Sequence, residues 1–516
     1  MASHSEDLSV GLNVLPEPRN LNSENQNSNQ SSRIQLTEEQ REKFLSSDIQ
    51  TGIVFEYKSR VGKAIRSSVV AASVESNFDP LLALKAVLIA LPAHRRGEIL
   101  KRRLDLFFTG NAAGLLTELQ EAASKAQSIK KKPQREISNT SPNRPAMAAL
   151  AAGCPGKALR RLNMQPLVEP TPAVIERMRS LHPFESPPLP PLGPLPTAPP
   201  LSSKAVFSTL RAMRLSGPGP SGLRADHLLM AYERRSNNCL TSLLDKIAQG
   251  AAPPWLADAR LLAVPKKGGG ERPIAVGEVL RRAAAGALIR MTSNELRNIP
   301  RQFVLRRDGC LAATSAVKSA IEINNKACII QLDMSNAFNS IHRSAVLLST
   351  DKTPLAQYAR WAYAEPSRLR FGNESIISSS GVQQGDPAGP VFFALALSSI
   401  MSNVRETFPL DLLDIWYADD ACLVGTLEEV IEGFKQIISP LQSIGLKINQ
   451  KKCLLWSRDA IADSTIEVPF ADSNSTLIAL GFPIAGTEES YANFASKAVE
   501  RATSMLQTLP RLHHTQ

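Results

Sequence analysis

The chain has 516 residues, of which 43% are hydrophobic, and its formal net charge at pH 7 is +11. This size and composition exclude a chain too small or too polar to bury a core, and they allow one large enzyme core or several domains. The positive charge favours a polyanionic partner, because Lys and Arg gain affinity when they release counterions from phosphates; solubility alone is the other explanation.

The cysteines and the apolar segments bear on the compartment in which the protein works. The six cysteines form no Cys-x-x-Cys pair, which favours reduced thiols over a disulfide framework or a zinc site. The N-terminus has no signal-peptide pattern, and the longest apolar run, residues 81–91, is broken by Lys85 and is too short to cross a bilayer. We therefore expect an intracellular protein, nuclear or cytoplasmic, without a membrane partner, in which this run is a buried helix.

Composition divides the first 200 residues into three predicted segments. Residues 1–49 are polar and are expected to be a disordered tail. Residues 50–182 are expected to be a basic, mainly helical region. Its positive clusters at 95–103 and 130–135 fit RNA binding, and nuclear import for the second, or else a solvated helix face and a loop. Nine prolines at 183–200 predict a stiff linker that wraps the following core.

The next region begins with helices and a glycine-rich hairpin. A predicted helix at 204–215 precedes a Gly-Pro-Gly-Pro-Ser-Gly loop and a second helix that begins at Leu223. Further along, Lys266 and Arg272 flank a Gly-Gly-Gly turn. Glycines let the backbone approach a ligand closely, and arginine can grip a phosphate with two hydrogen bonds. Taken alone, the segment is explained more simply as a hairpin with exposed charges.

Three carboxylates form the most informative set of polar residues. Asp333 is the first charge after an apolar stretch at 327–332 that predicts a buried strand, whereas Asp419 and Asp420 lie between two short apolar runs that predict strand, turn and strand. Adjacent carboxylates repel each other, and a divalent cation is the usual compensation. Alone, Asp333 fits a helix cap equally well. With the Asp-Asp turn downstream, the favoured interpretation is a site for two Mg²⁺ ions about 3.5–4 Å apart.

Six segments in this order resemble the motifs of a reverse transcriptase of the non-LTR retrotransposon (LINE-like) kind, roughly over residues 200 to 490. Residues 264–274 resemble the fingers hairpin, 332–339 the first palm motif, 380–387 the second, 417–420 the third, 445–452 the fourth, and 480–484 the primer-grip hairpin.

The resemblance implies an α/β (α+β) fold: a right-hand polymerase core with a helical N-terminal extension. Fingers and palm would occupy 201–470, and 471–516 would hold the primer-grip hairpin and the start of a thumb, truncated because the chain ends at Gln516. The implied activity is that of an RNA-directed DNA polymerase, a nucleotidyltransferase that adds dNTPs to a DNA primer on an RNA template. Asp333, Asp419 and Asp420 would be catalytic and would bind two Mg²⁺ ions, with Mn²⁺ as the alternative.

The resemblance also assigns nucleotide-binding residues. Lys266 and Arg272 would bind the incoming triphosphate, and Gln384 and Gly385 would lie against the nucleotide. Phe338, five residues after Asp333, would stack beneath the sugar and exclude a 2′-hydroxyl by steric clash, although a core phenylalanine is the alternative.

Further assignments concern the primer and the leaving pyrophosphate. Leu480, Gly481 and Phe482 would form the primer grip. Lys452 would protonate the leaving pyrophosphate, an interpretation that an exposed lysine matches equally well. Asp386 is expected to cap the following apolar helix and to have no catalytic role.

Two other functions compete with this one. The first is a catalytically impaired, truncated element copy that only binds RNA, which a short thumb would favour. The second is an RNA-directed RNA polymerase, which shares the metal chemistry but is disfavoured by the aromatic Phe338. The sequence makes no prediction about oligomeric state.

Overall fold

A computed structural model describes residues 33–49, 51–52, 58–89, 96–130, 143–184, 188–189, 193–232, 237–266, 268–296, 298–458, 466–471 and 476–512. Most of the predicted disordered tail and nearly all of the basic cluster at 130–135 lie outside these residues. The prediction of disorder is wrong for residues 38–46, which form a helix that buries Phe44 and Leu45. Helices and strands are both well represented, so the predicted mixed fold class is confirmed.

Among the described residues, the regular structure before the first strand consists of helices. They are α1 (Glu38–Ser46), α2 (Lys58–Val74), α3 (Asp79–Val87), α4 (Arg96–Phe108), α5 (Ala112–Lys130), α6 (Arg144–Ala151), α7 (Pro155–Leu162), α8 (Pro172–Ser180), α9 (Ser203–Ala212), α10 (Ala225–Ala231) and α11 (Asn237–Ala248). Every residue of α3 is buried, which confirms the buried helix predicted from the apolar run. Within the described ranges, no helix is both long and apolar enough to span a bilayer.

A buried lysine ties these helices to the loop predicted at 217–222. The ammonium of Lys85 donates to the carbonyls of Phe44 at 2.5 Å, Ser47 at 2.6 Å and Pro220 at 2.7 Å. Gly222 has a φ of 78°, and a Cβ there would lie 2.6 Å from the Thr51 side chain. The N-terminal helices therefore pack directly onto the segment that leads into the sheets.

The first basic cluster is partly neutralised within the protein. Arg102 and Arg103 both pair with Glu118, and Arg103 is buried, with its Nε 2.9 Å from the carboxylate. The interpretation as a solvated helix face therefore fits Arg102, whereas neither interpretation predicts the buried ion pair of Arg103. Lys101 is exposed, and Arg95 lies outside the described residues.

The first sheet has the strand order β2-β1-β4-β5. Its strands are β1 (Ala259–Pro265), β2 (Glu271–Gly277), β4 (Ser367–Phe371) and β5 (Glu374–Ser378). β1 and β2 form an antiparallel hairpin, whereas β1 and β4 are parallel. Helix α8 covers the sheet: Val174 and Met178 are buried with its apolar residues, and Arg177 pairs with Glu271 of β2 at 2.6 Å.

The second sheet is antiparallel, with the order β6-β7-β3-β8. Its strands are β3 (Cys328–Leu332), β6 (Leu413–Tyr417), β7 (Asp420–Gly425) and β8 (Leu454–Ser457). Because successive side chains of a strand point to opposite faces, Ile330 and Leu332 enter the main core while Ile329 enters a second, smaller core. The sheet is thus buried on both faces, which explains the nearly continuous apolar run of β3.

Helices cover both faces of the second sheet. The remaining helices are α12 (Val279–Leu296), α13 (Gly309–Ile323), α14 (Ala337–Ser340), α15 (Arg343–Thr350), α16 (Ala356–Tyr363), α17 (Gly389–Arg405), α18 (Leu427–Ser443) and α19 (Glu488–Leu506). Helix α18 packs on one face with α17 behind it, and α13 packs on the other. A two-stranded hairpin, β9 (Leu477–Ala479) and β10 (Phe482–Ala485), contacts α13 and leads into α19.

Candidate active site

Two carboxylates lie at the turn between β6 and β7, beside the end of β3. Tyr417 pairs with Asp420, which leaves Ala418 and Asp419 as a two-residue turn. On the neighbouring strand Leu332 lies opposite Ala421, so the chain continues into Asp333 next to the turn. The predicted strand, turn and strand are confirmed, as is the buried strand that ends at Asp333.

The electrostatics of the turn show that these carboxylates influence one another. Burial raises the pKa of Asp419, and the Asp333 carboxylate adds to the effect, while Arg272 opposes it. Burial, followed by the charges of Asp419 and Asp333, raises the pKa of Asp420 to about 6. Ionised carboxylates are therefore disfavoured here, and a nearby cation would stabilise them.

The donor set fits a hard divalent cation. In the part of the chain that the structure describes, no three His, Cys, Asp or Glu side chains are arranged to hold a metal ion by themselves. Mg²⁺ in nucleotide-processing sites commonly takes only one or two carboxylates and completes its shell with water and substrate phosphates. The carboxylates at the ends of the neighbouring strands β3 and β7 are donors of this kind.

The helix-cap alternative for Asp333 is wrong. The next helix, α14, begins four residues later, and Asn336 occupies its N-cap position. The backbone of Asp333 is instead held by the predicted fourth motif: Asn449 N–H donates to its carbonyl at 2.8 Å, and its own N–H donates to Cys453 Sγ at 3.4 Å. Lys452 precedes that cysteine in a short 3₁₀ turn and is exposed.

Phe338 lies on α14 and is half-buried. Its ring stacks on Phe393, with centroids 4.9 Å apart and planes at 17°. Its carbonyl accepts from Val382 N–H at 2.7 Å, and a Cβ at Gly381 would lie 2.4 Å from the same carbonyl oxygen. One face of the ring therefore rests on Phe393. The backbone of Phe338 lies so close to residue 381 that only glycine fits there.

The hairpin of β1 and β2 extends toward the carboxylates. Arg272 is exposed and pairs with Val264 across the hairpin, and its charge acts on both Asp419 and Asp420. Lys266 lies at the exposed turn, where its N–H donates to Gly270 O at 3.0 Å. Of the two predicted triphosphate-binding residues, the structure thus brings Arg272 near the carboxylates.

The second predicted motif anchors this hairpin. Ala275 N–H on β2 donates to Gln384 O at 2.8 Å. Gly385 has a φ of 132°, and a Cβ there would lie 2.3 Å from Ala275 O. Glycine is therefore required at 385 by the approach of β2, the strand that carries Arg272.

Asp386 is the centre of a buried polar network. Its carboxylate accepts from Arg281 at 2.8 Å, from the Tyr363 hydroxyl at 2.7 Å and from Ala388 N–H at 2.9 Å. Helix α17 begins at Gly389 with Ala388 as its N-cap. The predicted capping of the helix is thus only the smallest part of the role of Asp386. Its buried ion pair with Arg281 has no counterpart in the sequence pattern.

The predicted primer-grip hairpin packs beside the carboxylate turn. Leu480 and Gly481 have φ values of 53° and 83°, the two left-handed residues that a tight type I′ turn requires. Leu480 lines a small cleft of about 20 Å³ together with Tyr417 and Asp420. Phe482 is 41% exposed.

Sequence patterns did not indicate Gln302, whose side chain contacts the turn directly. It is 3% exposed and hydrogen-bonds with the backbone of Ala418. Tyr417, which precedes the turn, hydrogen-bonds with Cys310. This hydrogen bond, followed by burial, raises the pKa of Tyr417 to about 12. A lone glutamine in a mixed segment carries no periodicity or motif that would reveal such a contact.

Comparisons with known proteins agree with this arrangement. Residues 264–484 match the family described as reverse transcriptase (RNA-dependent DNA polymerase). The chain is 24% identical over 279 residues to the "Retrovirus-related Pol polyprotein from type-1 retrotransposable element R2" of Nasonia vitripennis, an alignment that covers 49% of this chain and 27% of the relative. It is 27% identical over 278 residues to the corresponding polyprotein from type-2 retrotransposable element R2DM of Drosophila melanogaster, covering 47% and 25%.

The chain therefore spans about a quarter of the length of these curated relatives. Among solved structures, apo telomerase from Candida tropicalis is similar over 46% of this chain and 54% of that chain, with 12% identity. The TM-score of 0.32 is too low to carry an argument about the fold.

The family match includes the carboxylates and the hairpins that surround them. It begins at the hairpin of Lys266 and Arg272 and ends at the hairpin of Leu480. Members of this family are RNA-directed DNA polymerases, which are nucleotidyltransferases. Residues 264–484 thus match a reverse transcriptase domain, and the chain is similar to the Pol polyproteins of R2 retrotransposable elements.

Proposed function

We propose that this protein is an RNA-directed DNA polymerase that adds dNTPs to the 3′-hydroxyl of a primer annealed to an RNA template. The observation that carries the proposal is that the charges of Asp333 and Arg272 both act on Asp419 and Asp420, at the ends of the neighbouring strands β3 and β7. One site then holds oxygen donors for divalent cations and a positive side chain for a triphosphate.

The charged residues have separate tasks in this proposal. Asp333, Asp419 and Asp420 hold two Mg²⁺ ions, or Mn²⁺, which when bound activate the primer hydroxyl and stabilise the charge of the pyrophosphate. Arg272 grips the phosphates of the incoming nucleotide, and Lys266 adds positive charge at the tip of the same hairpin.

The uncharged residues shape the space for the sugar and the primer. The ring of Phe338 forms the floor under the deoxyribose and leaves no room for a 2′-hydroxyl. Gln384 lies against the nucleotide and also holds the hairpin of Arg272 through its carbonyl. Leu480, Gly481 and Phe482 support the primer end from the hairpin of β9 and β10.

The partners follow from the same chemistry. The template is RNA and the primer DNA, bound mainly through phosphates and, for the RNA, through 2′-hydroxyl groups. The net charge of +11 supports binding of such polyanions. Gly385 allows the close backbone approach beside the nucleotide, and Lys452 donates a proton to the departing pyrophosphate.

A primer-extension assay on poly(rA)/oligo(dT) with dTTP and Mg²⁺ tests the proposal. Asp419→Asn is the inactive variant, and Asp411→Asn, at an exposed carboxylate before β6, is the matched control. We expect incorporation of dTTP by the wild type and by the control, and none by Asp419→Asn.

Two outcomes would overturn the proposal. Incorporation of UTP in place of dTTP would identify an RNA-directed RNA polymerase. Absence of any incorporation while the RNA remains bound would identify an RNA-binding protein that has lost the reaction.

A further inference from the structure

We infer that Gln302 is a positioning residue that holds the carboxylate turn in its reactive geometry, an inference that rests on the proposed function. Ala418, which precedes Asp419, has a φ of 54°. This left-handed conformation is unfavourable for a residue with a Cβ, and it persists where surrounding groups hold it. Gly and Asn are the usual residues in such turns, so an external support for Ala418 is expected.

The side chain of Gln302 provides that support through both backbone groups of Ala418. Its Oε1 accepts from Ala418 N–H at 2.8 Å, and its Nε2 donates to the Ala418 carbonyl at 3.4 Å. Because Gln302 is 3% exposed, water competes little for these bonds. A primary amide is suited to this position, since it carries a donor and an acceptor on one planar group.

Gln302 is in turn fixed to the sheet and to α13. Trp416 N–H donates to Arg301 O at 3.0 Å, and Phe303 N–H donates to Trp416 O at 2.9 Å, so residues 301–303 extend the sheet beyond β6. At the start of α13, a Cβ on Gly309 would lie 2.0 Å from Phe303 O. The support is therefore itself held from two directions.

Fixing Ala418 fixes the direction in which the next side chain, Asp419, leaves the turn. Catalytic groups have to be held to within about 0.5 Å, and a misplacement of about 1 Å can cost about 10²-fold in rate. Gln302 touches neither nucleotide nor primer in this scheme. Its effect is on how often Asp419 lies beside Asp333, which predicts a loss in kcat at nearly constant KM.

The test compares Gln302→Met, which keeps the length of the side chain and removes both bonds, with Gln357→Met. Gln357 is half-buried and accepts a single backbone hydrogen bond from Ala198 at 3.3 Å, so it is the matched control. We expect Gln302→Met to lower kcat by about 30-fold or more, with KM for dTTP within about threefold, and the control to keep both values.

Adding Ala418→Gly to Gln302→Met separates positioning from stability. Glycine removes the cost of the left-handed conformation, so the double variant should regain thermal stability, but the turn stays unsupported and kcat should stay low. Wild-type kcat in Gln302→Met would show that the turn does not need this support.

Two measurements without nucleic acid keep this inference apart from the proposed function. We expect Gln302→Met to weaken Mn²⁺ binding about threefold or more in calorimetric titration, and to speed hydrogen exchange of the Ala418 amide. If the wild type makes no DNA, the proposed function fails while these two readouts still decide the role of Gln302. Unchanged Mn²⁺ affinity and unchanged exchange would contradict the inference.

Discussion

Aspartates in two parts of this molecule are held in opposite ways. The side chain of Asp386 is 1% exposed and is paired with Arg281 and the Tyr363 hydroxyl. Burial works to lower the pKa of Arg281, but the Asp386 carboxylate and the neighbouring Tyr358 and Tyr363 together raise it by more, so the guanidinium stays charged. At the turn between β6 and β7, by contrast, Asp419 and Asp420 form no ion pair with any described residue, and burial raises the pKa of both.

The difference separates carboxylates that serve the fold from those that serve a ligand. A buried carboxylate whose partners are complete lowers the free energy of the folded chain only as part of its network, and it has no capacity left for a ligand. A carboxylate whose pKa is raised by burial and by neighbouring carboxylates keeps that capacity, because a cation would relieve the repulsion. The substitutions that follow test this division.

The largest effect is expected from Asp419→Asn. The amide keeps the shape but loses the charge, so DNA synthesis should fall on the order of 10³-fold or more. Because the ionised form is disfavoured in the folded state, the melting temperature should be no lower than that of the wild type. Primer extension and thermal unfolding measure the two quantities. A marked loss of stability would place Asp419 with the structural carboxylates.

Asp386→Asn should show the reverse pattern. Breaking a buried ion pair from one side leaves Arg281 unpaired, which costs about 3–5 kcal/mol in free energy of unfolding. Urea unfolding at pH 7 measures this loss, and Asp411→Asn serves as the exposed control. A free energy of unfolding within about 1 kcal/mol of the wild type would contradict the assignment.

A buried histidine should make the free energy of unfolding depend on pH. His227 is fully buried; its Nδ1 lies 3.2 Å from Arg224 N–H and its Nε2 lies 2.8 Å from Gly52 O, which suits a neutral ring. Burial lowers its pKa to about 4. The folded pKa lies below the unfolded value, so the stabilisation is complete above about pH 6.5 and is lost as the pH falls toward 4.

We therefore expect the free energy of unfolding to fall by about 2–3 kcal/mol more in the wild type than in His227→Gln between pH 7 and pH 4.5. The carboxylate turn acts with the opposite sign, because its raised pKa values favour the folded state at low pH. Urea unfolding at the two pH values, without divalent cations, measures the difference. Equal pH dependence in both proteins would exclude His227 as its source.

The parts of the fold that the sequence predicts correctly depend on local patterns. The strand that ends at Asp333 and the hairpin around Asp419 follow from apolar runs bounded by charges, which is why their positions agree with the structure. The order of the motifs along the chain then predicts the polymerase fold.

The contacts that escape prediction join residues far apart in the chain. Arg281 and Asp386 are separated by 105 residues, and Gln302 and Ala418 by 116. Neither partner of such a pair carries a local signal, because each contact exists only once the helices and sheets have packed. Helix α8 shows the same limit, since its contact with β2 through Arg177 and Glu271 cannot be read from composition.

Phe338 is packed like a core residue on one side and exposed on the other. The smallest of the predicted effects is expected from its substitution. One face of its ring rests on Phe393 as a core residue would, yet the side chain is only half-buried. Phe338→Val should open space above this support and raise the incorporation of UTP relative to dTTP by about 10- to 100-fold. The measurement is the ratio of kcat/KM for the two nucleotides on the same primer and template.

Phe434→Leu is the matched control for this ratio. Phe434 is 1% exposed on α18, so its substitution lowers stability without changing the space near the nucleotide. A nucleotide ratio that changes equally in both variants would mean that loosened packing, not the removed ring, relaxes selection. A ratio that changes only in Phe338→Val would mean that the ring of Phe338 selects the sugar through its exposed face.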